Sequence, residues 1–357
     1  MQLLRPMLLL LLLSAGSARA DGKMYWRETV PPTIPYQRAV IFFRDGVETL
    51  VLQSKYELPG PGKAAPIGWV VPVPAVPELA SIPADVAHEA FFLVDMDCPP
   101  HMIRISRVLY TCFVVLCLMA FLFPPFVRRL PGGTRHPELV RLLATLGLCS
   151  PFILPVFMPA LSGSGGVERI SAQRVGIYDV QVVRGSSAED LIHWLRENQF
   201  HFNERDRTAF SSYVSRSWCF VVAKMNPTQE DSPSAIVAGG LAAPLIMRFS
   251  HSAPVYPLML TGAGGFDTEI LVYLASDRKW GCGERLDTWY SGKNRNTRLQ
   301  RYMALAEPKA FAEKWKSEDF PYLTKFKGTL TPGEMSEDLI FSPAADDQPF
   351  RKTVWVW

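Results

Sequence analysis

The sequence predicts an α+β fold, mostly antiparallel β-sheet with several helices, that is split by an inserted hairpin of two transmembrane helices. Short apolar or alternating runs, each closed by turn residues, recur on both sides of residues 108–161. The 30 prolines and 24 glycines favour strands and turns over long helical bundles. Residues 108–127 contain no charged side chain over 20 positions, which is the length that spans a hydrocarbon core.

Residues 1–20 have the three parts of a secretory signal. Arg5 adds positive charge to the amino terminus, Met7–Leu13 is apolar, and Ala18-Arg19-Ala20 places small residues at a cleavage position. We expect cleavage after Ala20, which would place the following chain on the outer side of a membrane. The alternative is an uncleaved anchor, for which the apolar stretch is short.

The first half of the predicted extracytoplasmic domain covers residues 21–107. Asp45-Gly46 stands between two strand-like runs, RAVIFFR and VETLVLQSKY, and both residues tolerate the positive φ of a hairpin turn. The segment GWVVPVP predicts an edge or terminating strand because proline cannot donate to a central ladder. Residues 83–96 predict a helix.

The inserted hairpin comprises transmembrane helix 1 (108–127), a basic loop (128–139) and transmembrane helix 2 (140–161). The second helix carries Pro151, Pro155 and Pro159 at four-residue spacing, so we expect a kinked helix whose proline face packs on the first. Short loops rich in arginine stay in the cytoplasm, which predicts a cytoplasmic loop here. Both flanks would then lie outside, in one compartment.

The second half covers residues 162–357. Ser186 and Glu189 predict a capping box at the start of a helix, and Phe210, Tyr213 and Val214 predict another short helix. VGIYDVQVV, WCFVVAKM, APLIMRFS and TEILVYLA predict strands. The tail predicts a helix opened by Pro308 and a last strand in VWVW.

Several spaced motifs, QRAVIFF, GWVVPVP, HWLRENQF, SWCFVVAKM and PLIMRFSHSAPVYPLML, resemble a bacterial family of exported proteins known only as a domain of unknown function. The resemblance covers most of 36–80 and 172–342. It implies that the two flanks are halves of one domain and that the hairpin is an insertion. It implies no catalytic residues.

The sequence predicts no catalytic, cofactor or metal site. The six histidines include no H-E-x-x-H motif, and the chain contains no C-x-x-C, P-loop or G-x-S-x-G element. Cys219 lies within a strand pattern and is expected to be buried. Cys98 and Cys282 are therefore the candidates for a disulfide in an oxidising compartment, with two free thiols as the alternative.

Aromatic residues and prolines give the one hint of a binding surface. Trp69, Pro72 and Pro74 would lie beside Tyr256 if the two halves pair, forming an apolar groove or an edge strand that accepts a peptide. The alternative, which we favour, is that these residues close the core and protect a sheet edge.

The net charge of +3 gives no reason to expect nucleic acid as a partner. We predict a protein of the bacterial cytoplasmic (inner) membrane that contacts the lipid bilayer and has its main domain outside the cytoplasm. The preferred function is a non-enzymatic module that binds an envelope protein or polymer. The alternatives are an envelope enzyme with a site at the seam of the halves, and a subunit of a larger membrane complex docking through the hairpin.

Overall fold

The computed structural model describes residues 23–25, 33–57, 68–104, 166–200, 202, 204–295, 301–316 and 319–356. Contacts divide the chain into a larger unit, Met1–His101 with Gly165–Lys352, and a smaller unit, Met102–Ser164 with Thr353–Trp357. The described strands β6 (His101–Arg104) and β21 (Thr353–Val356) pair as a two-stranded ladder, so a last strand forms over Thr353–Val356. The elements below belong to the larger unit.

The strands of the larger unit are β1 (Lys23–Tyr25), β2 (Thr33–Arg44), β3 (Val47–Glu57), β4 (Gly68–Val73), β5 (Glu78–Ser81), β7 (Val167–Val175), β8 (Tyr178–Gly185), β9 (Cys219–Met225), β10 (Val237–Ala238), β11 (Leu241–Ala242), β12 (Leu245–Ser250), β13 (Val255–Tyr256), β14 (Thr268–Ser276), β15 (Trp280–Gly281), β16 (Asp287–Lys293), β17 (Tyr322–Leu330), β18 (Leu339–Ile340), β19 (Ser342–Pro343) and β20 (Phe350–Arg351). The helices are α1 (Ala84–Asp97), α2 (Ala188–Glu197), α3 (Glu204–Ser215), α4 (Pro233–Ile236), α5 (Met259–Gly262) and α6 (Lys309–Ala312).

A ten-stranded sheet joins the two halves of the sequence. Its main path is β10-β11-β3-β2-β14-β17-β16-β20, and β12 pairs with both β3 and β5. The hairpin of β2 and β3 turns at Asp45 (φ 52°) and Gly46 (φ 72°), as predicted. Strand β14 runs parallel to β2 and antiparallel to β17. The central strands of this sheet therefore come from both sides of residues 105–165.

A five-stranded antiparallel sheet, β1-β4-β9-β8-β7, joins the halves a second time. Strand β4 is not at the edge, because β1 pairs with its first three residues. Pro72 lies opposite Phe220 of β9 and beyond the part of β4 that β1 covers, so its missing N–H costs no bond to β1. The run VGIYDVQVV, predicted as one strand, contains the turn between β7 and β8, where Gly176 has a positive φ.

The helices lie where the sequence predicted them, but one cap position and one helix length differ from the prediction. Helix α1 confirms the prediction over 83–96, and α3 contains Phe210 and Tyr213 with 0% exposure. The residue that caps α2 is Ser187, whose Oγ accepts from the Asp190 N–H, so the prediction of a Ser186 and Glu189 capping box was one position early. After Pro308 the helix α6 has only four residues, far fewer than the sequence predicted.

The core lies on both faces of the ten-stranded sheet because successive side chains of a strand point to opposite sides. Ile41 and Val272 belong to the larger cluster, which also includes residues of the five-stranded sheet. Val40 and Tyr273 belong to the cluster on the opposite face, together with Phe91 of α1. Helix α1 therefore packs on one face of the ten-stranded sheet.

The structure thus supports a mostly β fold with mixed and antiparallel sheets and a few helices. Among the residues described, no helix is both long and apolar enough to cross a bilayer. The predicted signal (1–20), transmembrane helices (108–127 and 140–161) and cytoplasmic loop (128–139) lie outside the described residues.

Candidate functional site

A cleft of about 470 Å³ lies where α1 meets the ten-stranded sheet, and we name it the α1 cleft. First-half and second-half residues both line it, so it lies at the seam of the two halves. The lining residues are Tyr36, Arg38, His88, Phe91, Phe92, Asp95, Pro100, Leu271, Tyr273, Trp289, Lys325 and Lys327.

Strand register explains why these side chains converge. Arg38 of β2 lies opposite Leu271 of β14, which lies opposite Lys327 of β17. Tyr273 and Lys325 form the next pair on the same face, two residues along each strand. The pairing of β16 with β17 shifts at Trp289, which is a bulge position, and bulges re-aim side chains. The cleft floor is thus formed by every second residue of the paired strands, and the bulge at Trp289 interrupts this alternation.

Arg38 is held at the base of this cleft with only 7% of its surface exposed. Its guanidinium lies 4.2 Å from the centre of the Phe91 ring, and its Nε donates to Gln53 Oε1 at 2.8 Å. Its Nη2 is buried and has no hydrogen-bond partner in the part of the chain described. Burial lowers the pKa of Arg38 and raises the pKa of the neighbouring Tyr36 to about 12. Arginine remains protonated at any physiological pH.

Lys325 and Asp95 form an ion pair across the cleft. The Lys325 side chain is 8% exposed, whereas that of Asp95 is 51% exposed. The Tyr273 hydroxyl also donates to Asp95 Oδ1, at 2.5 Å. Burial and the adjacent Asp95 carboxylate raise the pKa of Tyr273, so this hydroxyl keeps its proton. Asp95, the single carboxylate among the lining residues, therefore already accepts hydrogen bonds from both Lys325 and Tyr273.

Trp289 forms the opposite wall, surrounded by lysines. The ammonium groups of Lys325, Lys327 and Lys352 lie 5.7, 5.6 and 4.9 Å from its ring centres. Lys327 pairs with Glu269 at 2.8 Å and Lys352 with Asp287 at 2.6 Å. The Trp289 indole Nε1 is buried without an acceptor among the described residues.

Arg38 and Trp289 therefore both line one cleft, and each has a buried donor, Arg38 Nη2 and Trp289 Nε1, without an acceptor among the described residues. A buried donor left unsatisfied costs about 1–3 kcal/mol, which an acceptor-bearing ligand would recover. The described residues contain no group of three His, Cys, Asp or Glu side chains able to hold a metal ion. This arrangement of aromatic walls and fixed donors is suited to holding a small ligand.

The residues predicted to form an apolar groove do not line this cleft. Trp69 is 1% exposed and packs against Tyr178, and Tyr256 is 0% exposed. Pro72 is buried in β4, and Pro74 is partly exposed. Trp69 and Tyr256 both belong to the larger hydrophobic cluster, which favours the alternative that they close the core.

The predicted Cys98–Cys282 disulfide is not formed in the structure. Both are free thiols, as is Cys219, which is buried in β9 as expected. Cys98 ends α1 in one hydrophobic cluster, and Cys282 lies in the other with its thiol directed to the Leu286 carbonyl. Burial raises the pKa of Cys98 to about 12 and that of Cys282 to about 11, so both favour the thiol form.

Sequence reasoning missed the α1 cleft. The signals were present as Arg38 within the apolar strand QRAVIFF, and as Lys325 and Lys327 alternating in YLTKFKGTL. A charge in a buried strand and two lysines on one strand face mark a polar site within the sheet. The two signals lie on opposite sides of the predicted hairpin, and only the pairing of β2, β14 and β17 brings them together.

Comparison with known proteins places the chain in a family. No curated protein matches it. A crystal structure of baculovirus P35 matches with a TM-score of 0.34 and 8% identity over 87% of this chain and 97% of that one, a level that supports no argument. The profile of the family described as "Uncharacterized protein conserved in bacteria (DUF2330)" matches residues 157–341, which is just over half of the chain. The chain therefore belongs to the DUF2330 family of bacterial proteins.

Proposed function

We propose that this protein is an envelope binding module, anchored in the bacterial inner membrane, that holds its partner in the α1 cleft without transforming it. The observation that carries the proposal is the presence of two buried, unsatisfied donors in a cleft shared by both halves. A buried donor without a protein acceptor needs an explanation, and an acceptor on a ligand in the cleft would supply one.

Binding is favoured over catalysis by the chemistry of the cleft lining. Asp95 is already bonded to Lys325 and Tyr273, and the lysines beside Trp289 are engaged with carboxylates. His88 is the single histidine of the lining. A general acid or base needs a free titratable group within reach of the substrate; the ion-paired groups do not provide one, which leaves His88 as the remaining candidate.

The membrane setting is proposed on the sequence. Residues 105–165 separate two segments that form one compact unit, and this interval contains the two predicted transmembrane helices. A hairpin enters and leaves on the same side, so it is compatible with one domain built from both flanks. The predicted signal and the arginine-rich loop would put that domain outside the cytoplasm, which is the location we propose.

Site-specific photo-crosslinking in cells tests the proposed function. Phe92, 59% exposed at the cleft rim, would be replaced by p-benzoyl-phenylalanine, and Val76, 47% exposed and not part of the cleft lining, would serve as the control position. We expect one discrete adduct from position 92 and none from position 76. The adduct should disappear when Trp289 is changed to Ala. An adduct that persists in the Trp289→Ala variant would place the partner elsewhere.

A further inference from the structure

We propose that the α1 cleft recognises a single carboxylate group and that Arg38 is the residue that binds it. This inference rests on the proposed binding function and names the class of ligand. The ligand is a monocarboxylate with an apolar body, either a free organic acid or the carboxyl terminus of a peptide.

The charged residues that line the cleft, taken together with the neighbouring residues Lys352, Glu269 and Asp287, leave one positive group without a counter-ion. Lys325, Lys327 and Lys352 pair with Asp95, Glu269 and Asp287, respectively. Arg38 forms no ion pair with a carboxylate in the described part of the chain. Four cations against three carboxylates give an excess of one positive charge. One carboxylate neutralises that excess, whereas a doubly charged phosphate would leave a buried negative charge uncompensated.

The guanidinium of Arg38 is held in place before any ligand arrives. Phe91 covers one face, and Gln53 fixes the Nε edge while its own Nε2 donates to the Ala242 carbonyl at 2.7 Å. Because the side chain is already ordered, binding costs little further conformational entropy. Its Nη2 has no partner among the described residues and is left for an anion, and charge-assisted hydrogen bonds are roughly twice as strong as neutral ones.

The rest of the cleft fits an apolar body that extends from Arg38 toward Trp289. Strands β2 and β16 are separated by β14 and β17, so the backbones at Arg38 and Trp289 lie roughly 14 Å apart at about 4.8 Å per strand. Leu271 and Tyr273 line the floor between them. An elongated ligand would therefore place its carboxylate at Arg38 and the far end of its body beside Trp289, where a polar acceptor or the face of an aromatic ring can meet the indole N–H.

Calorimetric titration of the full-length protein in detergent micelles tests this inference. The probes are 4-phenylbutyrate with its neutral amide, a short peptide ending in phenylalanine as free acid and as amide, and inorganic phosphate. We expect each acid to bind at least about tenfold more tightly than its amide, and phosphate to bind more weakly than both acids. The peptide acid binding more tightly than phenylbutyrate would identify the chain terminus as the source of the carboxylate, and the reverse order would identify a free acid.

Substitutions of single residues test whether Arg38 causes the preference for acid over amide. Arg38→Met should abolish the preference for acid over amide, and Arg38→Lys should reduce it because the planar fork is lost. Arg248→Met is the matched control, since Arg248 pairs with Glu78 and does not line the α1 cleft.

Several outcomes would overturn the inference. These are equal binding of acid and amide to the wild-type protein, tighter binding of phosphate, an unchanged preference in Arg38→Met, and no binding of either acid up to about 10 mM. Equal binding of acid and amide that is lost in Trp289→Ala would overturn carboxylate recognition while leaving the cleft as a binding site. The wild-type comparison decides the matter even if an Arg38 variant does not fold.

Discussion

The ion pair of Lys325 and Asp95 should respond very differently to the loss of each partner. Changing Asp95 to Asn leaves the ammonium of Lys325, whose side chain is 8% exposed, without its counter-ion. Changing Lys325 to Met leaves a carboxylate that is 51% exposed and still accepts from Tyr273. Water can hydrate the remaining carboxylate but not the remaining ammonium, so the two variants are not equivalent.

The size of each effect follows from these environments. A hydrogen bond to a charged group contributes about 1.5–3 kcal/mol, and the half-exposed Asp95 places this bond near the lower part of that range. We therefore expect Asp95→Asn to lower the free energy of unfolding by about 2 kcal/mol. Methionine is close to lysine in length and can pack against the Tyr273 and Trp289 rings, so Lys325→Met should cost less than about 1 kcal/mol.

Urea denaturation of the full-length protein in micelles, followed by tryptophan fluorescence, measures both values. The double variant should be more stable than Asp95→Asn alone, because it removes the ammonium that the single change leaves uncompensated. A loss of stability in Lys325→Met equal to or greater than that in Asp95→Asn would refute this reasoning, as would a double variant whose loss is the simple sum.

Three further predictions concern stability and covalent state. Glu48 is 0% exposed and burial raises its pKa, so the folded state keeps a proton that the unfolded state releases as the pH rises above about 4.5. The free energy of unfolding should therefore fall by up to about 1.4 kcal/mol per pH unit, measured by urea denaturation from pH 5 to 8, and Glu48→Gln should flatten this decline. Ser187→Ala should lower the melting temperature through loss of a helix cap worth about 1 kcal/mol, and an unchanged value would contradict the cap assignment. Migration on a denaturing gel should be the same with and without reductant, since Cys98 and Cys282 are free thiols, and faster migration of the unreduced protein would show that they pair.

Local signals in the sequence predicted much of the β structure. The Asp45-Gly46 turn was reliable because the required positive φ is set by the two residues themselves. The strands β9, β12 and β14 were predicted because their apolar runs are bounded by turn residues. The cap of α2 was misplaced by one residue, since Ser186 and Ser187 are adjacent and both have an acidic residue three positions on.

Long-range pairing could not be predicted from the same signals. The parallel pairing of β14 with β2 joins residues more than 200 positions apart, and nothing local in either strand specifies its partner. The position of β4 inside its sheet depends on β1, a three-residue strand with no clear sequence pattern. For α6 the sequence predicted too much regular structure, because most of the helix-forming residues after Pro308 are not helical in the folded chain.

The candidate site was missed for the same reason. Trp69 and Tyr256 drew attention as aromatics beside prolines, yet both are buried in the core. Arg38 and Lys325 were overlooked because a charge in an apolar strand indicates a polar site but does not show which residues of other strands lie beside it. The chemistry of the cleft depends on which strands pair, and only the folded chain supplies that information.

Heteronuclear NMR of the tryptophan indole N–H groups tests directly whether the α1 cleft binds a ligand. Trp289 and Trp315 both have a buried indole nitrogen without a partner in the described structure, but Trp315 lines a different pocket and serves as an internal control. Titration with 4-phenylbutyrate should shift the Trp289 signal, assigned by Trp289→Phe, and leave the Trp315 signal unchanged. A Trp289 signal that stays fixed up to the highest ligand concentration, or that moves together with the Trp315 signal, would show that the α1 cleft is not a specific site for this ligand.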